Sequence, residues 1–265
     1  MKMEEKQIYR EALGLIDLTS LNGSDTYSGI AALVEKVNRF NDIYPQYPLP
    51  ASICVYPNFA STVAEGLRCE GVHVTVVGGC FPASQSPLAV KVLECETAVE
   101  EGAGEVDIVL ALNSFLEKNY EAAREEIVVI GGAVRAVNPD VRLKVILETG
   151  ALSDKSLIED ASFLAMEAGA DFIKTSTGKI QPAATPEAAR VMCECIKKYF
   201  ASSGRMVGFK PAGGISSAAD AVVYYNIVRD ILGEKWLNKN YFRFGASRMA
   251  NNLLSALEGR EVKYF

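Results

Sequence analysis

Residues 142–175 read RLKVILETGALSDKSLIEDASFLAMEAGADFIKT. Arg142–Glu148 is a short, largely apolar and β-branched run, which reads as a buried strand. Ser156–Ala168 carries a helical pattern, and Gly169 stands where that helix should stop. Asp171–Thr175 is a second apolar run. Strand, helix and strand in this order form a βαβ unit with parallel strands. The pattern continues outward on both sides. Strands are expected at Leu15–Leu18, Ser52–Tyr56, Val72–Val77 and Glu105–Leu110 before it, and at Met206–Lys210 and Tyr241–Phe244 after it. Further helices are expected at Tyr27–Phe40, Pro87–Glu101, Tyr120–Val137, Pro186–Phe200, Ala218–Leu232 and Ser247–Leu257. Thr185-Pro186 and the Ser217 to Asp220 spacing supply helix start signals.

Near-continuous apolar strands alternating with helices predict a parallel sheet covered by helices. Eight such units predict an α/β fold of one kind, a single-domain (β/α)8 TIM barrel over residues 1–265. A doubly wound open sheet is the competitor, but no G-x-G-x-x-G follows the first strand. No Pro/Gly/Ser-rich linker or charge run divides the chain.

Composition narrows the chemistry. At 49% hydrophobic and 23% charged, the chain is neither disordered nor collagen-like. A net charge of −6 argues against general affinity for nucleic acid or an anionic membrane. The single histidine, His73, excludes a poly-histidine metal site. The six cysteines match no zinc spacing and read as reduced thiols, so a cytoplasmic protein is expected. The start, MKMEEKQIYREALG, is charged and unlike a signal peptide, and no apolar run approaches a membrane span. No metal site is expected from these residues.

Five strands nevertheless contain a charge: Asp17, Asp107, Lys144, Lys174 and Lys210, summing to three positive and two negative. Solvated strand ends or structural ion pairs account for an isolated case. Five cases on five strands point to one cluster in the lumen, because catalysis in such barrels sits at the C-terminal mouth. Lys174 and Lys210 end consecutive strands and should be neighbours. A second cation or desolvation lowers a lysine pKa and frees the amine to attack a carbonyl. The pair thus offers one imine-forming nucleophile and one cationic partner, with Asp107 available for proton transfer.

Phosphate is the second expectation. Ser176-Thr177-Gly178-Lys179, Pro211-Ala212-Gly213-Gly214 and Gly245-Ala246-Ser247-Arg248 follow the last three strands. Glycine lets backbone N–H groups approach an anion, and the last of these loops opens a helix. Turn glycines are common, so each pair alone is weak; Lys179 and Arg248 strengthen the set.

The sequence resembles the deoxyribose-phosphate aldolases, a class I aldolase family. The matching segments are Leu15–Leu21, Ile53–Pro57, Gly104–Val109, Leu143–Gly150, Ala170–Lys179, Gly208–Gly214 and Tyr241–Ser247, which span nearly the whole chain. The resemblance implies reversible cleavage of 2-deoxy-D-ribose 5-phosphate to acetaldehyde and D-glyceraldehyde 3-phosphate, without a cofactor. It implies Lys174 as the Schiff-base lysine, Lys210 as the lysine that lowers its pKa, and Asp107 as the carboxylate relaying protons through water. Asp17 and Lys144 match supporting polar positions, and Cys54 a pocket cysteine that is not the nucleophile. Phosphate falls to Gly178, Lys179, Gly213, Gly214 and Ser247; Thr19, Thr177 and Arg248 complete the binding candidates. A homodimer is also implied.

There are departures from the family pattern. Arg248 stands where a second serine is frequent and either contacts phosphate or points to solvent. Cys80, before Phe81-Pro82, replaces a residue that is often Asn or Gly. Tyr264 is penultimate and either joins proton exchange or belongs to a disordered terminus. Packing accounts for Cys54, His73 and Trp236 at least as simply as chemistry does. Rival functions are an aldolase for another sugar or keto phosphate, a barrel that binds a phosphorylated ligand without turnover, and a nicotinamide enzyme.

Overall fold

The computed structural model describes residues 3–265. Eight strands alternate with helices: β1 (Ile16–Thr19), β2 (Ser52–Val55), β3 (His73–Gly78), β4 (Glu105–Val109), β5 (Arg142–Ile146), β6 (Phe172–Lys174), β7 (Gly208–Lys210) and β8 (Phe244–Ala246). The helices are α1 (Met3–Leu13), α2 (Tyr27–Asn38), α3 (Phe40–Ile43), α4 (Ala60–Gly66), α5 (Leu88–Glu100), α6 (Leu112–Leu116), α7 (Tyr120–Val137), α8 (Lys155–Glu167), α9 (Pro186–Ser203), α10 (Ala218–Leu232) and α11 (Met249–Glu258). All strand pairs are parallel, in the order β7-β6-β5-β4-β3-β2-β1-β8. Bridges Phe209–Phe242 and Ala212–Gly245 join β7 to the eighth-strand segment and close the barrel. The predicted (β/α)8 TIM barrel is therefore observed.

Period-two alternation sorts the strand residues. Ile16, Leu18, Ile53, Val55, Val106, Ile108, Leu143, Val145, Ile173, Phe209, Phe242 and Phe244 join the helices in the outer apolar core. Their neighbours along each strand turn to the lumen, as side chains must in a pleated strand. There the buried residues include Asp17, Ser52, Thr75, Glu105, Asp107, Lys144, Lys174 and Lys210. The outer shell is thus apolar and the lumen charged.

Three differences from the sequence reading have physical causes. The eighth strand begins at Phe244 rather than Tyr241, because only isolated bridges tie residues 242 and 245 to β7. Helix α1 was read only as a charged start, yet it buries Ile8, Ala12 and Leu13 and packs on α10 and α11. Tyr264 is ordered against the foot of the barrel. Its ring lies 5.5 Å from that of Phe40 and its hydroxyl donates to the Lys36 carbonyl at 2.6 Å. Lys36 is in the last turn of α2, at the end opposite the C-terminal mouth. The terminus is thus packed against the barrel rather than disordered, and Tyr264 lies away from the C-terminal mouth.

Trp236 is a structural anchor, donating its indole N–H to the Val207 carbonyl at 2.9 Å. At the lumen floor, a Cβ on Gly208 would lie 2.3 Å from the Phe172 ring. Gly208→Ala is expected to lower stability by about 1–3 kcal/mol, the usual cost of overpacking. A thermal melt checks this, and an unchanged Tm would mean that the ring has room to move.

Candidate active site

The lumen holds three carboxylates and four cations, all buried: Asp17, Glu105 and Asp107 against Lys144, Lys174, Lys210 and Arg243. Asp107 is the hub. Its Oδ1 accepts from Lys144 Nζ at 2.9 Å; its Oδ2 accepts from Lys174 Nζ at 2.8 Å and Lys210 Nζ at 2.7 Å. Strand register makes this possible, since Asp107 pairs with Lys144 across β4–β5 and Lys174 with Lys210 across β6–β7. Lys210 also pairs with Asp17 Oδ2. Lys144 reaches Glu105 at 2.7 Å. Lower still, Arg243 spans Asp17 Oδ1 at 2.5 Å and Glu105 Oε1 at 2.7 Å. Thr75 donates to the same glutamate at 2.8 Å.

With every group ionised the cluster carries +1, and with one lysine neutral it carries zero. Lys174 is the lysine with fewest counter-charges, touching a single carboxylate oxygen that it shares with Lys210. Burial pulls its amine below the ordinary lysine range; Asp107 opposes this and Lys210 reinforces it. Lys210 and Lys144 are also buried, but their carboxylates outweigh burial and hold them above the usual value. Burial alone would raise the carboxyls, yet the surrounding cations win. Asp17 and Asp107 are held low, and Glu105 is lowered to about 2. A buried amine with a depressed pKa beside a fixed cation and a carboxylate is suited to imine formation.

Lys174 opens into a cavity of about 320 Å³ at the C-terminal mouth. Thr19, Thr177, Gly178, Lys179, Gly213, Gly214, Ser247 and Arg248 line it. Gly213 has φ +82°, and a Cβ there would lie 2.7 Å from the Gly178 Cα, so two backbones meet where no side chain fits. Thr175 fastens these loops together by donating to the Ala212 carbonyl and accepting from its N–H, at 3.1 and 3.0 Å. Among the described residues, the N–H groups of Gly178, Gly213 and Gly214 meet no acceptor in the chain. Such a nest suits an anion. Lys179 is turned aside, its amine donating to the Leu21 carbonyl at 2.7 Å across the mouth.

The structure gathers Asp17, Asp107, Lys144, Lys174 and Lys210 in the lumen and the loop candidates around the cavity above, whereas Tyr264 and Trp236 lie elsewhere. Cys54 is fully buried on β2, outside the cavity lining, and burial pushes its thiol up, which makes it unreactive. His73 is half-buried at the foot of β3, 3.9 Å from Glu105. Cys80 adopts φ +60° and donates its N–H to the Glu94 carboxylate at 2.6 Å, which fixes the third loop. Three contributors were missed. Glu105 stands two residues before Asp107 on the same strand face, and Arg243 lies inside the stretch predicted as the eighth strand; period two marks both. Glu148 is buried with φ +52° and accepts from Thr177 N at 3.2 Å and Oγ1 at 2.5 Å, steadying the cavity wall.

A lysine-bearing parallel barrel with an anion nest at its mouth defines an aldolase-type scaffold. Residues 12–224 match the model of the DeoC/LacD family aldolases, and the chain belongs to that family. A Caenorhabditis elegans protein named "Putative deoxyribose-phosphate aldolase" is 40% identical over 257 residues, covering 96% of this chain and 83% of that one. The deoxyribose phosphate aldolase of Aeropyrum pernix, described as a tetramer, superposes with a TM-score of 0.72. It is 26% identical and the match covers 97% of this chain and 98% of that one. An aldolase called QR15 gives 0.74 at 27% identity, over 93% and 96%. Among the described residues no helix is long and apolar enough to cross a membrane.

The lowered carboxyls give the fold a definite acid response. Their folded pKa values lie below the unfolded ones, so the unfolded chain binds more protons as pH falls. For Glu105, whose ordinary value is 4.5, the contribution is complete above that pH and is lost on descent toward about 2. Urea midpoints should therefore be level near neutrality and fall steeply below about pH 4.5. A flat response would show that the lumen carboxyls are not ionised in the fold.

Proposed function

We propose that the chain cleaves 2-deoxy-D-ribose 5-phosphate reversibly to acetaldehyde and D-glyceraldehyde 3-phosphate, with residues 1–265 as one catalytic domain. One observation carries this reading: the amine with fewest counter-charges, Lys174, lines the same cavity as the Gly178–Gly213–Gly214 nest. The nest holds the substrate phosphate through backbone N–H groups, and Ser247 and Arg248 add side chains at the opening of α11.

In the cleavage direction, neutral Lys174 attacks the aldehyde carbon of the open-chain sugar. Loss of water gives the protonated imine, with the nitrogen still close to Asp107. The proton of the C3 hydroxyl is removed through water in contact with Asp107, and the C2–C3 bond breaks. Its electron pair moves into the imine, leaving an enamine on Lys174 and releasing glyceraldehyde 3-phosphate. Protonation of the enamine carbon and hydrolysis release acetaldehyde and restore the amine. Lys210 stays charged throughout, supported by Asp17 and Asp107, while Lys144 secures the other oxygen of Asp107. Thr19 shapes the wall near the reacting carbons, with Cys54 packed in the lumen behind Lys174. No cofactor takes part.

The unpaired cysteines support a cytoplasmic location. A homodimer is our expectation for the assembly.

Lys174→Ala is expected to abolish turnover while the fold survives, because its loss leaves three carboxylates facing three cations. Borohydride trapping with acetaldehyde should label the Lys174 peptide alone; retained activity in the variant would remove the assignment. Lys210→Leu is expected to move imine formation to higher pH, since Lys174 then keeps its proton to balance the lumen. An unchanged profile would separate the two lysines functionally. Arg248→Ala is expected to raise KM for the phosphorylated sugar several-fold and leave cleavage of unphosphorylated deoxyribose unaltered, as for a charged hydrogen bond to phosphate. Equal effects on both substrates would place Arg248 outside the phosphate site.

A further inference from the structure

We infer that Glu105 and Arg243, one layer below the reactive lysine, are positioning residues that set the charge of the lumen and so, in opposite senses, the pH at which Lys174 sheds its proton. The inference rests on the imine reading above and adds two residues to it.

The geometry gives each a distinct task. Arg243 engages Asp17 Oδ1 and both oxygens of Glu105, at 2.5, 2.7 and 3.2 Å. It therefore occupies carboxylate charge that would otherwise serve the lysines above. Glu105 holds Lys144 at 2.7 Å, which supplies that lysine with a carboxylate of its own besides Asp107. Lys174 is left with a share of Asp107 Oδ2. The groups around Lys174 are Asp107 from β4, Lys210 from β7 and Cys54 from β2, with Lys144 of β5 and Asp17 of β1 bound to the same network. β3 presents only Thr75 and Val77 to the lumen above His73.

Charge counting then gives opposite signs for the two residues. Removing Glu105 raises the fully ionised lumen from +1 to +2 and favours proton loss from Lys174. Removing Arg243 lowers it to zero, so Lys174 keeps its proton. Removing both returns the count to +1.

The test is borohydride trapping of the acetaldehyde adduct on Lys174 across a pH series. It compares the wild type, Glu105→Gln, Arg243→Met and the double variant. The expected midpoint of adduct formation moves down by about one pH unit in Glu105→Gln and up by about one in Arg243→Met, the scale of a charge change within a buried cluster. The double variant should return to the wild-type midpoint. Midpoints that do not move, or that move in the same direction in both single variants, overturn the inference, since a purely structural role changes yield and stability without opposed shifts. Should Arg243→Met fail to fold, Glu105→Gln decides alone, and an unmoved midpoint overturns the inference. A wild-type protein that gives no Lys174 adduct at any pH removes the imine reading, and this inference with it.

Discussion

Two lysines of adjacent strands donate to the same oxygen of one buried aspartate, Asp107 Oδ2. One oxygen cannot fully compensate two ammonium groups in a medium of low dielectric. Lys210 has a second counter-charge in Asp17, whereas Lys174 has none. The imbalance is thus resolved at Lys174, and this is where the cavity opens. The remaining charges of the lumen keep that choice fixed. Lys144 secures the other face of Asp107, and Arg243 secures Asp17 and Glu105.

The barrel separates what holds it together from what it does. Alternation along each strand sends Ile, Leu, Val and Phe outward into the core shared with the helices, and burial of that surface drives folding. The lumen is released from that task and filled with charge. The mouth is then shaped by short-range fastenings: Thr175 to the Ala212 backbone, Thr177 to Glu148, and the glycine-to-glycine approach of residues 178 and 213. These orient backbone N–H groups above an amine fixed from below. A phosphorylated substrate would therefore be held at both ends by parts of the chain that pack against each other.

Much of this arrangement was legible in the sequence because strand chemistry is periodic. Charges at Asp17, Asp107, Lys144, Lys174 and Lys210 stand out in runs that are otherwise apolar. Glu105 did not stand out, because a charge at the start of a strand resembles a solvated end. Arg243 was hidden among aromatic residues in a segment whose pairing to β7 is only partial. The sequence sum of three positive and two negative charges was consequently short by one of each sign, and its net value of +1 was right only because both were omitted together. Tyr264 was illegible for a different reason. Its place depends on an aromatic contact with Phe40, more than 200 positions away along the chain, which no local pattern encodes. Helix α1 has its apolar face at Ile8, Ala12 and Leu13, and the charged residues between them obscured it.

The lumen also bears on whether the barrel merely binds a phosphorylated ligand. Binding needs the nest, and the nest is built entirely from the loops after β6 and β7. Nothing in it requires seven buried charges beneath. Such clusters are costly, and replacing buried ion pairs with well-packed apolar side chains is often neutral or stabilising. Other barrels fill this space with branched aliphatic residues. A sequence that gives up that option on β1, β4, β5, β6, β7 and the approach to β8 has used five of its eight strands, and the entry to a sixth, to control one amine. A simple binding protein has no use for a proton-labile lysine at the floor of its pocket, whereas carbon–carbon bond cleavage through an imine depends on one.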